Sequence, residues 1–126
     1  VGRALLDEYA LELMAIDSWK KDPQAAREAQ LREWIGAFGN DKGKITLYAP
    51  VGCDVCSGTG YRGRVGLHEL LVGSDAIKKG IQEHARVAAM FATALAEGMR
   101  TLKQDGIEKV LAGITDMHQV RSVCIK

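Results

Sequence analysis

Apolar side chains recur with helical spacing through the first forty residues, and this pattern predicts two helices. One face of the first helix is formed by side chains at intervals of three, four and three residues: Leu6, Tyr9, Leu13 and Ile16. A second helix is expected to begin after Asp22, a suitable N-cap, with Pro23 at its first position. Gly39 and Asn40 should end it, because both residues tolerate the left-handed backbone conformation found at helix C-termini.

The pattern then changes from helical spacing to alternation. Ile45, Leu47 and Ala49 alternate with less apolar positions, which predicts a strand. A second strand is expected over residues 65–71, after a glycine-dense stretch. The two strands would form a small β-hairpin around a loop that carries Cys53 and Cys56.

From residue 74 onward the sequence predicts helices only. Ser74 or Asp75 begins one helix, and an alanine-rich helix over residues 87–97 ends at Gly98. Two pairs with capping-box spacing begin two more helices: Thr101 with Gln104, and Asp116 with Gln119. The predicted fold class is mainly α (α+β), a helical bundle with a small β-hairpin or knuckle insert. We expect two parts, residues 1–73 with the knuckle and residues 74–126 as a C-terminal helical bundle.

Composition and charge narrow the range of partners. The chain has 126 residues, 47% of them apolar, and a net charge of +1, so no general attraction to nucleic acid is expected. No apolar run approaches the ~20 residues that span a bilayer, so direct membrane insertion is not expected either. The three cysteines suit a reducing compartment. Because the chain starts at Val1 and enters a helix almost at once, we expect a piece of a longer protein.

The glycine-rich stretch over residues 52–66 matches two nucleotide-binding motifs only in part. Gly58, Gly60 and Gly63 satisfy G-x-G-x-x-G, but a Cys-x-x-Cys loop directly precedes them, and Val65-Gly66-Leu67 after them is a poor helix start. Gly58 and Gly63 also have P-loop spacing, yet Arg64 and Val65 stand where that motif requires Lys and then Ser or Thr. The sequence therefore indicates no catalytic and no cofactor-binding residues.

Cys53 and Cys56 are the candidate metal ligands of this stretch. Cys-x-x-Cys followed by glycines is typical of a zinc knuckle, but a structural zinc ion needs four ligands. Among the other residues that could coordinate, Cys124 is better explained as a buried apolar residue and His68 and His84 as structural histidines. A redox role is disfavoured, since such enzymes place the first cysteine at a helix N-terminus.

Two runs of residues, taken together, resemble the C-terminal region of the type II secretion and type IV pilus assembly ATPases. The first run is Gly52-Cys53-x-x-Cys56-x-x-Thr59-Gly60-Tyr61-x-Gly63-Arg64-x-Gly66-Leu67-x-Glu69-Leu70-Leu71. The second comprises, in order, Glu97-Gly98-Met99-Arg100-Thr101-Leu102, Asp105-Gly106, Lys109-Val110, Gly113-Ile114-Thr115 and Val120-Arg121-Ser122-Val123. The resemblance extends from about Gly43 to Val123.

This resemblance implies a hexameric, cytoplasmic parent motor in which ATP hydrolysis on a RecA-like core drives pseudopilus or pilus assembly. The family's Walker A lysine and Walker B acid precede the segment seen here, so ATP and Mg would bind elsewhere in the parent chain and this part would be non-catalytic. The implied partners are neighbouring subunits of the ring and platform proteins of the inner membrane. The parent would therefore be peripheral at that membrane through its partners.

One departure from the family pattern concerns zinc. Many members carry two Cys-x-x-Cys pairs that together hold the ion, and here the first pair falls on or near Leu5 and Glu8. A zinc site with four cysteines cannot form, although Asp7 or Glu8 would offer one oxygen ligand. Our hypothesis is that this branch has lost the metal and packs Leu5 and Leu6 instead.

Arg62 and Arg64 flank Gly63 in a loop that is expected to be exposed. One interpretation is a contact with acidic or phosphate groups of a neighbouring subunit, because arginine suits bidentate partners. The alternative is a solvated basic turn.

Two other functions compete with the motor fragment. The chain could be a stand-alone helical adaptor that binds a protein partner and carries a knuckle-type Cys-x-x-Cys loop, or a small thiol redox enzyme. A P-loop upstream in the native chain would favour the motor fragment over the stand-alone adaptor. An unperturbed pKa of the Cys53 thiol would argue against the redox enzyme.

Overall fold

The computed structural model describes residues 2–124, which form seven helices and no strand or sheet. Val1, Ile125 and Lys126 lie outside the described residues. The helices in chain order are α1 (Gly2–Leu13), α2 (Asp17–Lys21), α3 (Pro23–Phe38), α4 (Asp75–Gln82), α5 (Val87–Ala96), α6 (Leu102–Leu111) and α7 (Met117–Val123). The prediction of a mainly helical chain with a Cys-x-x-Cys loop is confirmed.

The two segments predicted as strands are irregular chain, which corrects the expected hairpin. A single antiparallel bridge joins Gly39 and Ile45. Elsewhere these segments lie against the second half of the chain. The Tyr48 ring lies against Gly113, and the His68 N–H donates to the Asp105 carboxylate at 2.9 Å. In a β-ladder, the backbone N–H and C=O groups of two strands bond to each other. Here both segments contact the second half of the chain, and that pairing does not form.

Three helices begin at the caps that the sequence predicts. The side-chain oxygens of Asp22, Ser74 and Asp116 accept hydrogen bonds from backbone N–H groups three residues further on, at 3.1, 3.2 and 3.0 Å. Each bond satisfies one of the free donors at a helix N-terminus. The predicted first helix, in contrast, stops at Leu13 and does not extend to Ile16. Ile16 takes an extended backbone conformation (φ −83°, ψ 133°) and is the N-cap residue of α2.

Gly98 ends α5 as predicted, and Gly113 ends α6 in a similar way. Both adopt a left-handed conformation, with φ of +104° and +80°. After Gly98, the Met99 N–H donates to the Ala94 carbonyl at 3.0 Å, the long hydrogen bond of a Schellman motif. Residue His84 adopts the same conformation (φ +54°) after α4. His84 thus lies at the C-terminal end of a helix.

The chain divides into two compact units, each made of two separate segments. The first contains the residues up to Glu33 and Glu69–Thr101; the second contains Trp34–His68 and the residues from Leu102 on. These units are defined by contacts within the chain. The expected division into domains at residues 1–73 and 74–126 stays a prediction.

The first unit buries an apolar cluster that includes Leu5 and Leu6. Leu5 and Leu6 are only 2% and 6% exposed. The other buried apolar residues of this unit are Tyr9, Ala10, Leu13, Ile77, Ala94 and Leu95. The Tyr9 hydroxyl accepts a hydrogen bond from Arg100 Nε at 3.1 Å, so the buried polar atom of this cluster is satisfied.

The second unit packs α6 against α7 at a glycine. A Cβ atom added to Gly106 would lie 2.6 Å from Val120 Cγ1 and 3.3 Å from Leu67 Cδ1. Only glycine allows so close an approach. The buried apolar residues of this unit are Trp34, Ile107, Val110, Leu111 and Val120.

Candidate functional site

The loop over residues 52–61 holds the two predicted cysteines side by side. The sulfur atoms of Cys53 and Cys56 are 3.6 Å apart. Two backbone N–H groups point at the Cys56 sulfur: that of Cys53 at 3.2 Å and that of Gly60 at 3.1 Å. N–H groups directed at sulfur are the arrangement expected of a knuckle.

Glycines and left-handed residues fix the shape of this loop. A Cβ atom at Gly52 would lie 2.4 Å from the Gly58 carbonyl oxygen, and one at Gly60 would lie 2.6 Å from Pro50 Cβ. The chain turns through Ser57, Gly58 and Gly60, whose φ values are +57°, +79° and +82°. These conformations turn the chain after Cys56 back, so that the Gly60 N–H reaches the Cys56 sulfur.

The hydrogen bonds make Cys56 unusually acidic. They lower its pKa from the ordinary value of 9.0 to about 6, the Cys53 N–H contributing most and the Gly60 N–H next, while burial opposes them. Cys53 is exposed and Cys56 half-buried. Two N–H groups thus favour the ionised form of a half-buried thiol beside an exposed one.

The donor set of this loop does not fit a four-ligand zinc site. Within residues 2–124 no three His, Cys, Asp or Glu residues are grouped as a metal site requires. Of the predicted oxygen donors, Asp7 forms an ion pair with Arg27. The described residues thus bring Cys53 and Cys56 together and add no third ligand to them.

A cleft of about 530 Å³ lies between the end of this loop and α7. Its apolar side chains include Val65, Ile114 and Val123, which are 47%, 57% and 58% exposed. Leu67 and Val120 also line it. The cleft thus exposes apolar surface to solvent.

A tyrosine–aspartate pair connects the loop to α7 beside this cleft. The Tyr61 hydroxyl donates to the carboxylate of Asp116, which also caps α7. This hydrogen bond is the main cause that lowers the pKa of Asp116, and it raises the pKa of Tyr61. Sequence reasoning identified Asp116 as a cap but assigned Tyr61 no hydrogen-bond partner, because no local signal joins residues 55 positions apart.

Arg62 and Arg64 line the same cleft. Both are exposed, and neither forms a hydrogen bond or an ion pair with another residue in the part of the chain that the structure describes. Gly63 between them has a φ of +72°. The structure therefore places two guanidinium groups at this cleft, with no partner among residues 2–124.

A second missed feature is a carboxylate on α6. Asp105 accepts from Lys109 Nζ at 2.7 Å and from the His68 N–H at 2.9 Å. Burial raises the pKa of Asp105, but these two donors outweigh it and hold the pKa below its ordinary value. The i,i+4 spacing of Asp105 and Lys109 was a signal for the ion pair; nothing in the sequence indicated the bond from His68.

None of the helices in residues 2–124 is long and apolar enough to cross a membrane.

Comparison with known proteins bears on the resemblance seen in the sequence. The family described as "Type II/IV secretion system protein" matches residues 19–122. The type IV pilus assembly ATPase PilB of Thermus thermophilus is 42% identical over 106 residues, which cover 80% of this chain and 11% of that protein. The type IV pilus assembly ATPase PilB of Pseudomonas aeruginosa is 37% identical over 105 residues, which cover 82% of this chain and 18% of that protein.

Type II secretion system protein E of Dickeya dadantii is 44% identical over 75 residues, covering 60% of this chain and 15% of that protein. The chain thus spans less than a fifth of the length of these relatives. No solved structure gives a significant match. The family match, together with relatives of both the pilus and the secretion type, confirms the resemblance, and the chain belongs to the type II/IV secretion system protein family.

Proposed function

We propose that these residues are the non-catalytic C-terminal part of a hexameric, cytoplasmic ATPase that powers type II secretion or type IV pilus assembly. The observation that carries the proposal is the asymmetry of the matches. Up to 82% of this chain aligns with proteins named as ATPases or as type II secretion protein E, yet it accounts for at most 18% of their length.

The nucleotide chemistry would belong to the rest of the parent chain. Phosphate binding by a P-loop needs a lysine, a hydroxyl and a helix N-terminus directly after the glycines. Here Gly63 is followed by Arg64 and Val65 in irregular chain. ATP and Mg would bind upstream, and this part would contact ring neighbours and inner-membrane platform proteins.

The mass of the native protein in its source cell tests this proposal. An antibody against a peptide from this chain should recognise a protein several times heavier than 13.7 kDa. Peptide sequencing of that protein should find Gly-x-x-x-x-Gly-Lys-Ser/Thr before Val1. A native chain close to 13.7 kDa would contradict the proposal and would favour the stand-alone adaptor.

For Arg62 and Arg64 we propose a contact with acidic or phosphate groups of a neighbouring subunit. Their exposure, their lack of partners among the described residues and their place at the cleft support it. In the full parent, Arg62→Ala with Arg64→Ala should weaken ring assembly, measured as hexamer fraction by light scattering. Arg32→Ala, at an exposed arginine of α3, is the matched control. An unchanged hexamer fraction in the double variant would leave the solvated turn as the explanation.

We also propose that this branch has lost the zinc ion and holds its first unit by packing Leu5 and Leu6. The burial of both leucines and the incomplete donor set support the idea. Protein purified without added metal should contain far less than one zinc per chain by elemental mass spectrometry. Stoichiometric zinc would contradict it.

A further inference from the structure

We propose that Cys53 and Cys56 form a site of reversible oxidation, in which the Cys56 thiolate attacks a low-molecular-weight disulfide such as oxidised glutathione and Cys53 then closes an internal disulfide. The proposal starts from a disagreement: the loop keeps the geometry of a metal knuckle, but its donors do not complete a zinc site. It does not depend on the motor function proposed above.

The distance between the two sulfurs allows the bond to form by local movement. They lie 3.6 Å apart, so closing to a disulfide of about 2.05 Å requires an approach of about 1.5 Å. The two residues between the cysteines, Asp54 and Val55, are exposed and do not have to leave a packed core. No other element must move.

The loop itself supplies the activation that the sequence argument found missing. That argument disfavoured a redox role because no helix N-terminus follows Cys53. The N–H groups of Cys53 and Gly60 donate to the Cys56 sulfur at 3.2 and 3.1 Å. They stabilise its thiolate in the way that free N–H groups at a helix N-terminus do.

The two steps balance as ordinary thiol–disulfide exchange. Cys56 sulfur, as thiolate, attacks one sulfur of oxidised glutathione, forms a mixed disulfide and releases one glutathione thiolate. Cys53 loses its proton to water and attacks the Cys56 sulfur, which breaks the mixed disulfide and releases the second glutathione thiolate. The protein thiols lose two electrons, and one glutathione disulfide is reduced to two thiols.

The same hydrogen bonds explain why the oxidation would be reversible. They stabilise the thiolate and hence the reduced state, and a stabilised reduced state raises the reduction potential of a dithiol pair. A disulfide in an exposed loop is also open to attack by reduced glutathione. The site should therefore respond to the glutathione ratio.

The decisive experiment uses the full-length protein, treated with a chelator and equilibrated with defined ratios of reduced and oxidised glutathione. After acid quenching and alkylation, trypsin releases the peptide from Ile45 to Arg62, which contains Cys53 and Cys56 and no other cysteine. As the share of oxidised glutathione rises, we expect the peptide with two alkyl groups to be replaced by an unalkylated peptide that is two hydrogen atoms lighter than the free dithiol, and reduction should reverse the change. Cys124→Ser is the control and should leave the titration unchanged.

Two single variants test the assigned roles. Cys53→Ser should accumulate glutathione on Cys56, and no internal disulfide can then form. Cys56→Ser should react with oxidised glutathione several-fold more slowly at pH 7, because the N–H groups of Cys53 and Gly60 point at the Cys56 sulfur. Circular dichroism of both variants checks that the fold is kept.

Three results would overturn the proposal. One is a peptide that stays reduced at every glutathione ratio, and another is a peptide that carries glutathione on both cysteines without an internal disulfide. The third is zinc that co-purifies with the protein, half an ion per chain included, and is lost in Cys53→Ser, since the thiols would then be metal ligands.

Discussion

The glycine at the α6–α7 contact gives the sharpest test of the packing described above. Gly106→Ala adds one methyl group at a position where it would lie 2.6 and 3.0 Å from the two γ-carbons of Val120. Val120 is only 1% exposed, and a β-branched side chain on a helix has one favoured rotamer, so it cannot turn away. Either α7 shifts or the contact is strained.

The magnitude is the difference between two opposing effects. Replacing a mid-helix glycine by alanine gains about 1 kcal/mol of helix propensity. Inserting a methyl group into a packed core costs about 1–3 kcal/mol. We expect a net loss of about 1 kcal/mol in the free energy of unfolding, since the contact exceeds what real Cβ atoms tolerate.

Gly36→Ala in α3 is the matched control. It is the same substitution inside a helix of the same compact unit, but a Cβ atom there would meet nothing within 4 Å. It should therefore stabilise the protein by about 0.5–1 kcal/mol. Both variants are compared by urea unfolding, followed by the fluorescence of Trp34, which is 3% exposed.

The close approach of α6 and α7 is tested by comparing the free energies of unfolding of the Gly106→Ala and Gly36→Ala variants. If Gly106→Ala stabilises the protein as much as Gly36→Ala does, the close approach of α6 and α7 is refuted. A double-mutant cycle sharpens the test, because Val120→Ala should cost less in the Gly106→Ala background than in the wild type.

Three further predictions concern polar contacts. Asp105→Asn removes the ion pair with Lys109, whose two side chains are only 21% and 19% exposed, and should lower the free energy of unfolding by about 1–2 kcal/mol. Tyr61→Phe should raise the pKa of Asp116, followed by NMR titration of the carboxyl carbon. Because the folded pKa lies below the ordinary 3.8, wild-type stability is lost as pH falls through the folded pKa, and the variant should lose less. Ser74→Ala removes a helix cap and should cost about 1 kcal/mol in urea unfolding.

Each of these changes has a control in the same chain. Glu83→Gln breaks an exposed ion pair with Lys79 at 3.9 Å and should change stability by less than about 0.5 kcal/mol. Tyr48→Phe alters a tyrosine that is 63% exposed and should leave the pKa of Asp116 unchanged. Ser122→Ala, at an exposed serine within α7, should cost less than Ser74→Ala. Equal effects in a variant and its control would contradict the corresponding contact.

Helix ends were the most predictable part of the fold, because their signals are local. A cap such as Ser74 bonds to an N–H three residues away, and a glycine such as Gly98 is needed for a backbone conformation at that one residue. The break at Ile16 was missed because its spacing fits the helix face. The two strands were wrongly predicted because alternation of apolar residues indicates that one face of a segment is buried. It does not indicate whether the backbone of that segment pairs with another strand.

The site was predictable in its residues and not in its electrostatics. Spacing alone brought Cys53 and Cys56 together, since two residues separate them. The N–H groups that acidify Cys56 depend on positive φ values at Ser57, Gly58 and Gly60, and a serine gives no signal for such a conformation. Contacts between distant residues, such as that of Tyr61 with Asp116, cannot be read from local sequence at all.

The backbone glycines of the cysteine loop have an evolutionary consequence. Gly52 and Gly60 allow close approaches of the turn to its own backbone and to Pro50, so residues of the loop itself set part of its shape. A loop organised in this way depends less on groups elsewhere in the chain for its form. If this branch has lost a zinc ion, as proposed, the loop would have kept its turn through that change, and Cys53 and Cys56 would have stayed side by side for a different chemistry.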